Sequence, residues 1–193
     1  MPIDKKTFLK TVSIIVDTGE QENRHITDKL KVFKIPYLER KLDFGDYSFI
    51  TQEKTNYGIK ERDFSLNCVI ERKRNPDEFY GNIIHDRERI ESEFAEASKL
   101  CNDFVLLIEN CRDMQELKAA QLTDYEMERM RIRQEKDIGI KCYETIMSWR
   151  CGNRYRFTTE FCKSKKDSAN KILELFYYYW RNYKHLSANR KKK

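Results

Sequence analysis

The sequence predicts a mixed α/β fold in which helices flank a single central sheet. Two short apolar runs, Val12–Val16 and Phe104–Ile108, have the length and composition of buried strands. Between and after them, apolar residues recur every three or four positions, which is the spacing of amphipathic helices. The chain has 193 residues, of which 39% are hydrophobic, and this is enough for one domain with a substantial core. We therefore predict a single domain over residues 1–185, followed by a basic, disordered tail over 186–193.

The N-terminal half is predicted to form one strand, one helix and then an antiparallel meander. In order, we predict a strand over 12–17, a helix over 22–34, and strands over 42–50, 57–61 and 66–73. Pro36 ends the helix, because proline cannot continue the helical hydrogen bonds. Gly45 predicts a bend or bulge in the strand that contains it.

The C-terminal half is predicted to alternate helices with two more strands. In order, we predict one or two helices from Pro76 to Leu100 with a break at His85–Asp86, a strand over 104–108, a solvated helix over 113–137, a helix over 145–149, an edge strand over 154–158 and a helix over 164–183. A capping-box pattern at Ser164 marks the start of the last helix. Its expected inward residues are Ile172, Leu175, Phe176, Tyr179 and Tyr183.

Composition limits the class of protein. The net charge of +6 weakly favours a polyanionic partner such as nucleic acid, although 32 acidic residues remain. No run of 18 apolar residues occurs, so no membrane span is expected, and the N-terminus lacks the apolar centre of a signal peptide. The six cysteines form no CxxC pair. We therefore expect reduced thiols and a cytoplasmic location.

Two carboxylates and a lysine near the predicted central strands form the strongest chemical pattern. Side chains two apart on a strand share a face, so Glu71 and Lys73 should lie together while Arg72 points away. If Asp46 on the neighbouring strand faces the same way, the oxygen donors would suit Mg²⁺ or Mn²⁺ and phosphodiester hydrolysis. Lys73 would then orient the attacking water or neutralise charge in the transition state. Such short acid–lysine pairs are also common on solvated surfaces, so the pattern alone leaves both interpretations open.

A longer, ordered set of motifs favours the catalytic interpretation. Glu71–Asp77, with the sequence ERKRNPD, resembles the ERKxxxD signature of the XPF/Mus-type structure-specific endonucleases. That family is a branch of the restriction-endonuclease-like PD-(D/E)xK fold. Further segments resemble the family's landmarks in the same order: VDTGE at 16–20, GDY at 45–47, EFYGNI and RERI between 78 and 90, and LLIE at 106–109. The resemblance spans roughly residues 12–183.

The resemblance implies an activity and a role for each matching residue. It implies a restriction-endonuclease-like mixed sheet and a metal-dependent DNA endonuclease that uses Mg²⁺ or Mn²⁺ at branched or flap-type DNA, in repair or recombination. The implied metal ligands are Asp46 and Glu71, supported by Asp17 and Glu20, with Lys73 as the catalytic lysine. The other implied roles are a phosphate or structural contact for Arg72, an acidic group at a helix start for Asp77, and DNA contacts for Arg74, Arg87 and Arg89.

Departures from the family pattern keep alternatives open. The family's opening arginine is Gly19 here. We expect a compact phage- or bacterial-type member without the helix-hairpin-helix module that many relatives carry. The alternatives are a non-catalytic DNA-binding or assembly subunit, and a resolvase or restriction-like nuclease of the same fold. Asp17 and Asp77 also have structural interpretations, as a turn residue and a helix cap.

Two aromatic segments have competing interpretations. Phe176–Trp180 is aromatic on all sides, so its outward half is expected to suit a homodimer interface. Trp149, Tyr155 and Phe157 are interleaved with arginines, a pattern that can stack on unpaired bases. We favour a core role for these three, because aromatic side chains dominate cores.

Overall fold

The structure is a computed structural model that describes residues 4–129, 131 and 137–190. The helices are α1 (Lys5–Leu9), α2 (Arg24–Val32), α3 (Pro76–His85), α4 (Arg87–Leu100), α5 (Met114–Lys118), α6 (Asp124–Arg129), α7 (Ile138–Arg150) and α8 (Ser168–Arg190). The strands are β1 (Val12–Val16), β2 (Tyr37–Glu39), β3 (Tyr47–Thr51), β4 (Arg62–Asp63), β5 (Cys68–Lys73), β6 (Asp103–Glu109) and β7 (Thr158–Cys162).

Within the described residues, seven strands form one mixed sheet in the order β2-β1-β3-β5-β6-β7, with β4 paired to β3. β1 is parallel to β2 and antiparallel to β3, whereas β6 and β7 are parallel. β3 is antiparallel to both β4 and β5. The predicted fold class, a mixed sheet flanked by helices, is confirmed. None of the helices in the described part of the chain is long and apolar enough to cross a membrane.

The chain forms two compact units, which meet in the sequence after Ile70 and after Lys165. The first unit comprises the chain up to Ile70 and from Lys166 onward, and the second comprises Glu71–Lys165. Strand β5 therefore contributes its apolar half to the first unit and the residues of the ERK motif to the second. The expected single domain over 1–185 stays a prediction.

Aromatic side chains fill the core of the first unit. Phe49 stacks on Phe64 at 4.4 Å between ring centroids, and it lies 4.8 Å from Phe176 of α8 and 5.9 Å from Phe8 of α1. All four rings are buried. Such pairs add to the free energy gained from burying apolar area.

Trp149 is the centre of the second unit's core. It is fully buried, and Phe94, Phe79 and Tyr155 lie 4.9, 6.3 and 5.6 Å away by ring centroid. Phe157 is also buried, 4.8 Å from Phe94. Trp149 and Phe157 therefore pack in the core, as favoured above, whereas Tyr155 is half-buried at its edge.

Two glycines explain local departures from regular structure. Gly45 has φ +69°, and a Cβ there would lie 2.5 Å from Val69 Cγ1. The predicted bend is therefore present, and it delays the start of β3 to Tyr47. Gly139 lies in the first turn of α7, and a Cβ there would be 2.1 Å from the Leu117 carbonyl oxygen of α5. Only glycine therefore allows the two helices to approach this closely.

Several predicted elements differ from the structure. The strand predicted over 57–61 is absent from the described residues, because a 3-10 turn at Thr55–Tyr57 ends on Gly58 in the left-handed region and the next strand is β4. The edge strand predicted over 154–158 is instead β7, which follows a 3-10 turn at Cys151–Asn153. The charged segment over 113–137 contains two short helices, and its residues 130 and 132–136 lie outside those described.

The last helix differs in its start, its inward face and its end. It begins at Ser168 and not at the predicted capping box of Ser164, and it continues to Arg190, so 186–190 of the expected tail are helical. Residues 191–193 lie outside the described part. The buried residues of this helix include Ile172, Leu173, Phe176, Tyr177 and Trp180. The predicted Leu175, Tyr179 and Tyr183 are half-buried. The inward face of the helix therefore differs from the predicted one, since Leu173, Tyr177 and Trp180 are buried in their place.

The predicted reduced state of the cysteines agrees with the structure, in which all six carry free thiols and only Cys151 is exposed. Burial raises the pKa of the Cys111 thiol to about 11, so it stays protonated at neutral pH.

Candidate active site

The end of β5 buries an ion pair in the second unit. Strand alternation places Glu71 and Lys73 on one face, as predicted, and the Lys73 Nζ lies 2.5 Å from the Glu71 Oε1. Both residues are buried, at 4% and 5% exposure. Because a charge this far from water needs a partner, each of the two side chains supplies the opposite charge that the other requires.

Arg72 points to the other face and is fixed by Glu109, the last residue of β6. The Arg72 Nε lies 2.8 Å from Glu109 Oε1, and its Nη2 donates to Glu109 Oε2 at 3.0 Å. Arg72 is 5% exposed and Glu109 fully buried. Of the two roles implied for Arg72, this geometry favours structural support over contact with a phosphate.

Glu109 is the main functional candidate that sequence reasoning missed. The resemblance includes it only as the last residue of the LLIE segment at 106–109 and assigns it no role, although an acidic residue after five buried apolar positions is itself a signal. A carboxylate in that position needs a buried cation, and Arg72 is the cation that meets it.

The segment after β5 is held by backbone hydrogen bonds. Asn75 caps α3 by accepting from the Glu78 N–H at 2.9 Å, and Pro76 occupies the first turn. Glu78 Oε2 accepts from the Arg74 N–H at 2.8 Å, and Asn110 Nδ2 donates to the Arg74 carbonyl at 2.8 Å. Both backbone groups of Arg74, the N–H and the carbonyl, are therefore hydrogen-bonded, and this fixes the direction of the chain as it leaves β5.

A polar cleft of about 360 Å³ lies beside α3. Its lining includes Arg74, Asn75, Asp77, Asn82, His85 and Arg129. Asp77, predicted at the helix start, lies in the first turn of α3, half-buried and 3.5 Å from the Asn75 Nδ2. Glu78 and Asp86 also line the cleft, so it presents acidic as well as basic and amide groups. No local motif in the sequence identified Arg129.

The first unit contains Asp17, Glu20 and Asp46. Asp17 uses both carboxylate oxygens on backbone amides: Oδ1 accepts from the Leu42 N–H at 2.6 Å and Oδ2 from the Gly19 N–H at 2.7 Å. The Glu20 Oε1 accepts from the Glu22 N–H at 3.0 Å. Asp17 is thus a clamp of the turn after β1, which supports its structural interpretation.

Asp46 is held by its backbone between two strands of the first unit. Its N–H donates to the Ile70 carbonyl at 2.8 Å, and its carbonyl accepts from the Asp17 N–H at 2.8 Å. The side chain is half-buried. Tyr47, the next residue, pairs with Ile70 of β5. The backbone of Asp46 is therefore hydrogen-bonded to the residue that immediately precedes Glu71 in the chain.

Two of the arginines implied to contact DNA lie on the exposed start of α4. Arg87 pairs with Glu91 at 2.8 Å and Arg89 with Glu93 at 3.7 Å, each one helical turn apart. Exposed pairs of this kind stabilise weakly and are screened by salt, so the guanidinium groups can exchange these partners for phosphates.

The described part of the chain contains no ready-made cluster of three metal-binding side chains. Among residues 4–129, 131 and 137–190, no three His, Cys, Asp or Glu side chains gather into a set that could hold an ion. The available donors are carboxylate oxygens, which are the donors that Mg²⁺ and Mn²⁺ prefer.

A family model defines the class of protein. Residues 16–175 match the model described as the ERCC4 domain, so the chain belongs to this family of XPF/Mus81-type DNA endonucleases, whose members are generally divalent-metal dependent. The predicted family resemblance is confirmed. A search of the curated proteins found no match.

Two solved structures share the fold. XPF from Aeropyrum pernix matches with a TM-score of 0.51 and 15% identity, over 84% of this chain and 64% of that chain. The same protein in complex with DNA matches with a TM-score of 0.51 and 16% identity, over 84% of this chain and 62% of that chain. The chain therefore spans less than two thirds of the length of these relatives, and at this identity the likeness shows the fold alone.

Proposed function

We propose that this chain is a divalent-metal-dependent endodeoxyribonuclease that hydrolyses phosphodiester bonds at branched or flap-type DNA, in DNA repair or recombination. The observation that carries the proposal is the buried Glu71–Lys73 pair inside the ERKRNPD motif. Membership of the ERCC4 domain family supports nuclease chemistry. The similar XPF from Aeropyrum pernix has been solved in complex with DNA, which supports DNA as the substrate class.

The energetics of the pair support a chemical role. Removing a carboxylate and an ammonium from water costs several kcal/mol each, and apolar residues of the same volume often stabilise a fold equally well. Strand β5 therefore does not need these charges in order to pack. A buried pair of titratable groups at the end of a strand, in a family of nucleases, is better explained by catalysis.

The donor chemistry fits Mg²⁺ or Mn²⁺. Mg²⁺ is commonly held by one or two carboxylates with waters completing the shell, and Asp46 and Glu71 would supply two carboxylates. We assign Asp46 and Glu71 as the ligands, with Glu20 as a further candidate. Asp17 supports the loop, because both of its oxygens accept backbone amides. When bound, the ion would polarise the scissile phosphate and acidify a water.

The remaining residues have distinct roles in this proposal. Lys73 neutralises charge on the phosphate in the transition state. Arg72 is a positioning residue, which acts by holding β5 against Glu109. Asp77 orders the start of α3, and Arg74, Arg87 and Arg89 contact DNA phosphates.

Variants of the site test the proposal. We expect Lys73→Ala and Asp46→Asn to lower the cleavage rate by at least about 10²-fold, as for loss of a transition-state contact, with DNA binding retained. Lys73→Ala also leaves the buried Glu71 carboxylate without its cation and should be less stable, so its rate is measured at a temperature where circular dichroism shows it folded. We also expect Glu71→Gln to weaken Mn²⁺ binding, measured by electron paramagnetic resonance without DNA. Asp43→Asn, an exposed residue in the same loop as Asp46, is the matched control and should behave as the wild type.

A substrate panel completes the test. Flap, fork, four-way and linear DNAs are incubated with the protein in Mg²⁺, Mn²⁺ or EDTA, and we expect cleavage of a branched form only with a metal. Full activity of Lys73→Ala would remove this lysine from the mechanism. Cleavage in EDTA would contradict the metal requirement.

The alternative is a non-catalytic DNA-binding or assembly subunit, and Gly19 is the observation that favours it. A Cβ at this position would lie 2.8 Å from the Asp17 Oδ2, so an arginine there would push against the clamp of the turn. Binding of branched DNA with no cleavage in any metal would support this alternative.

Two further properties accompany the proposal. The free thiols support a reducing compartment, such as the cytoplasm of a bacterial or phage-infected cell. The outward aromatic patch expected over 176–180 is reduced to Tyr178, which is 45% exposed, because Phe176, Tyr177 and Trp180 are buried and Tyr179 is half-buried. A homodimer through this face of α8 stays a proposal. Sedimentation of the wild type and of Tyr178→Glu would test the second property, since a dimer held by this face should become monomeric.

A further inference from the structure

A groove of about 640 Å³ in the first unit lies outside every residue assigned above. Its lining comes from α1, from the segment between α2 and β2, and from α8. The apolar floor contains Leu9, Ile35 and Leu173, and four lysines line it as well: Lys5, Lys6, Lys10 and Lys34. None of the described residues that line the groove is acidic.

Phe33 gives the groove an exposed aromatic ring. It is 39% exposed, and the Lys29 Nζ lies 5.2 Å from its ring centroid. A ring that is partly in water beside several cations has the character of a stacking platform for a nucleic-acid base.

The backbone at the end of α2 presents Phe33 and Lys34 in defined directions. The Lys34 N–H donates to the Lys31 carbonyl and the Ile35 N–H to the Leu30 carbonyl, both at 2.9 Å, which is a Schellman motif. This turn buries Ile35 and leaves Phe33 and Lys34 at the surface. Lys34 has φ +57°, at the position where glycine is usual. A lysine is thus kept at a strained position, where its charge contributes to the groove.

One acidic residue lies close to the lysines, and it is already engaged. Asp4 caps α1 by accepting from the Thr7 N–H at 2.7 Å. That hydrogen bond is the main reason that the pKa of Asp4 is lowered, with smaller contributions from Lys6 and Lys10. The groove therefore keeps an excess of positive charge.

We propose that this groove binds a single-stranded segment of DNA, with phosphates on the lysines and a base on Phe33. An apolar floor beside an exposed ring favours an unpaired strand over a duplex, because bases in a duplex are already stacked. The inference rests on the proposed DNA substrate and deepens it, since branched DNAs carry such unpaired segments. It does not depend on cleavage.

The test is binding of a fluorescein-labelled 12-mer oligothymidylate in EDTA, measured by anisotropy over a range of salt. We expect Phe33→Ala to weaken binding about 5- to 150-fold, which corresponds to the loss of one stacked base. We expect Lys6→Ala/Lys10→Ala to reduce the slope of log K against log salt by about 1.4, because each lysine accounts for about 0.7 on a single strand.

Lys34→Gly separates binding from folding. Glycine relieves the left-handed backbone, so this variant should melt about 2–4 °C higher, while it binds the oligonucleotide more weakly. The matched controls, which lie in the first unit outside the groove, are Tyr57→Ala for Phe33 and Lys54→Ala/Lys60→Ala for the lysines. They should bind close to wild type.

Several outcomes would overturn the inference. The inference fails if the groove variants bind oligothymidylate as tightly as the wild type, or if the wild type does not bind it. Equal losses on a duplex of the same length would indicate a general phosphate patch. Binding of phosphatidylserine vesicles that depends on Phe33 and Lys34, without such dependence for the oligonucleotide, would assign the groove to a lipid surface. Lys73→Ala should keep the wild-type affinity for oligothymidylate. Failure of the proposed cleavage can therefore be told apart from failure of single-strand binding in the groove.

Discussion

The turn after β1 and the ends of β5 and β6 hold their carboxylates by different means. Asp17 is half-buried and accepts two backbone N–H groups, from Gly19 and Leu42. Glu71 and Glu109 are buried, and each meets a side-chain cation. A carboxylate held by amides depends on the course of the backbone, and water can replace its partners. A buried pair depends on two side chains, and neither tolerates loss of the other.

This difference separates residues that shape the loop from residues kept for their charge. The amide-held carboxylate stabilises a turn and is satisfied without a metal. The buried pairs add charge where packing alone would favour apolar residues. We therefore expect stability and activity to respond differently in the two regions.

The largest expected effect on stability comes from breaking the Arg72–Glu109 pair. Glu109→Leu leaves a buried guanidinium without its carboxylate, and we expect the free energy of unfolding to fall by about 3–5 kcal/mol. The double variant Arg72→Met/Glu109→Leu removes both charges and should recover most of the loss. Urea denaturation of the three proteins measures the effect.

Glu96→Leu, at an exposed position of α4, is the control for the same chemical change and should alter stability by about 0.5 kcal/mol or less. If Glu109→Leu behaved like this control, the buried pair would not be a structural requirement, and the contrast between the two regions would disappear.

A smaller effect is expected at the turn after β1. Asp17→Ala removes an acceptor from two backbone amides, and we expect a loss of about 1–2 kcal/mol, because water reaches this half-buried site. Asp17→Asn keeps one oxygen acceptor and should lose less. Thermal and urea unfolding measure both variants.

Metal binding tests the comparison more sharply. If Asp17 is a clamp, Asp17→Asn should leave the affinity for Mn²⁺ close to that of the wild type, whereas Asp46→Asn should lower it strongly. Equal losses in the two variants would mean that Asp17 is a ligand, as the family resemblance implied.

Local patterns were enough to predict part of this site. The period of two in a strand placed Glu71 with Lys73 and Arg72 on the other face, and both are found. The break between His85 and Arg87 was also predicted correctly. The joint use of Asp46 and Glu71 stays a prediction.

Partners distant in the chain could not be predicted from local patterns. Glu109 lies 37 residues after Arg72, and the Leu42 amide lies 25 residues after Asp17, so neither contact has a local signal. The predicted strand at 57–61 failed for the opposite reason. Its apolar and aromatic residues suited a strand, but Gly58 takes a left-handed conformation that closes a turn there.

The smallest expected effect concerns a third kind of carboxylate, at the start of β6. Burial, and to a lesser degree the nearby Glu160, raise the pKa of Asp103 above its ordinary value of 3.8. A raised pKa means that the folded state prefers the protonated acid, so its contribution to stability is present at low pH and is lost as pH rises through the folded pKa.

Asp103→Asn should therefore melt about 1–2 °C above the wild type at pH 7 and should show no gain at pH 3.5. Melting curves between pH 3.5 and 8 measure this, with exposed Asp167→Asn as the control. If the melting temperature of Asp103→Asn rose by the same amount at every pH, the charge of Asp103 would not be the cause of the gain. Asp103 would then not be a third kind of carboxylate, distinct from those held by amides or by cations.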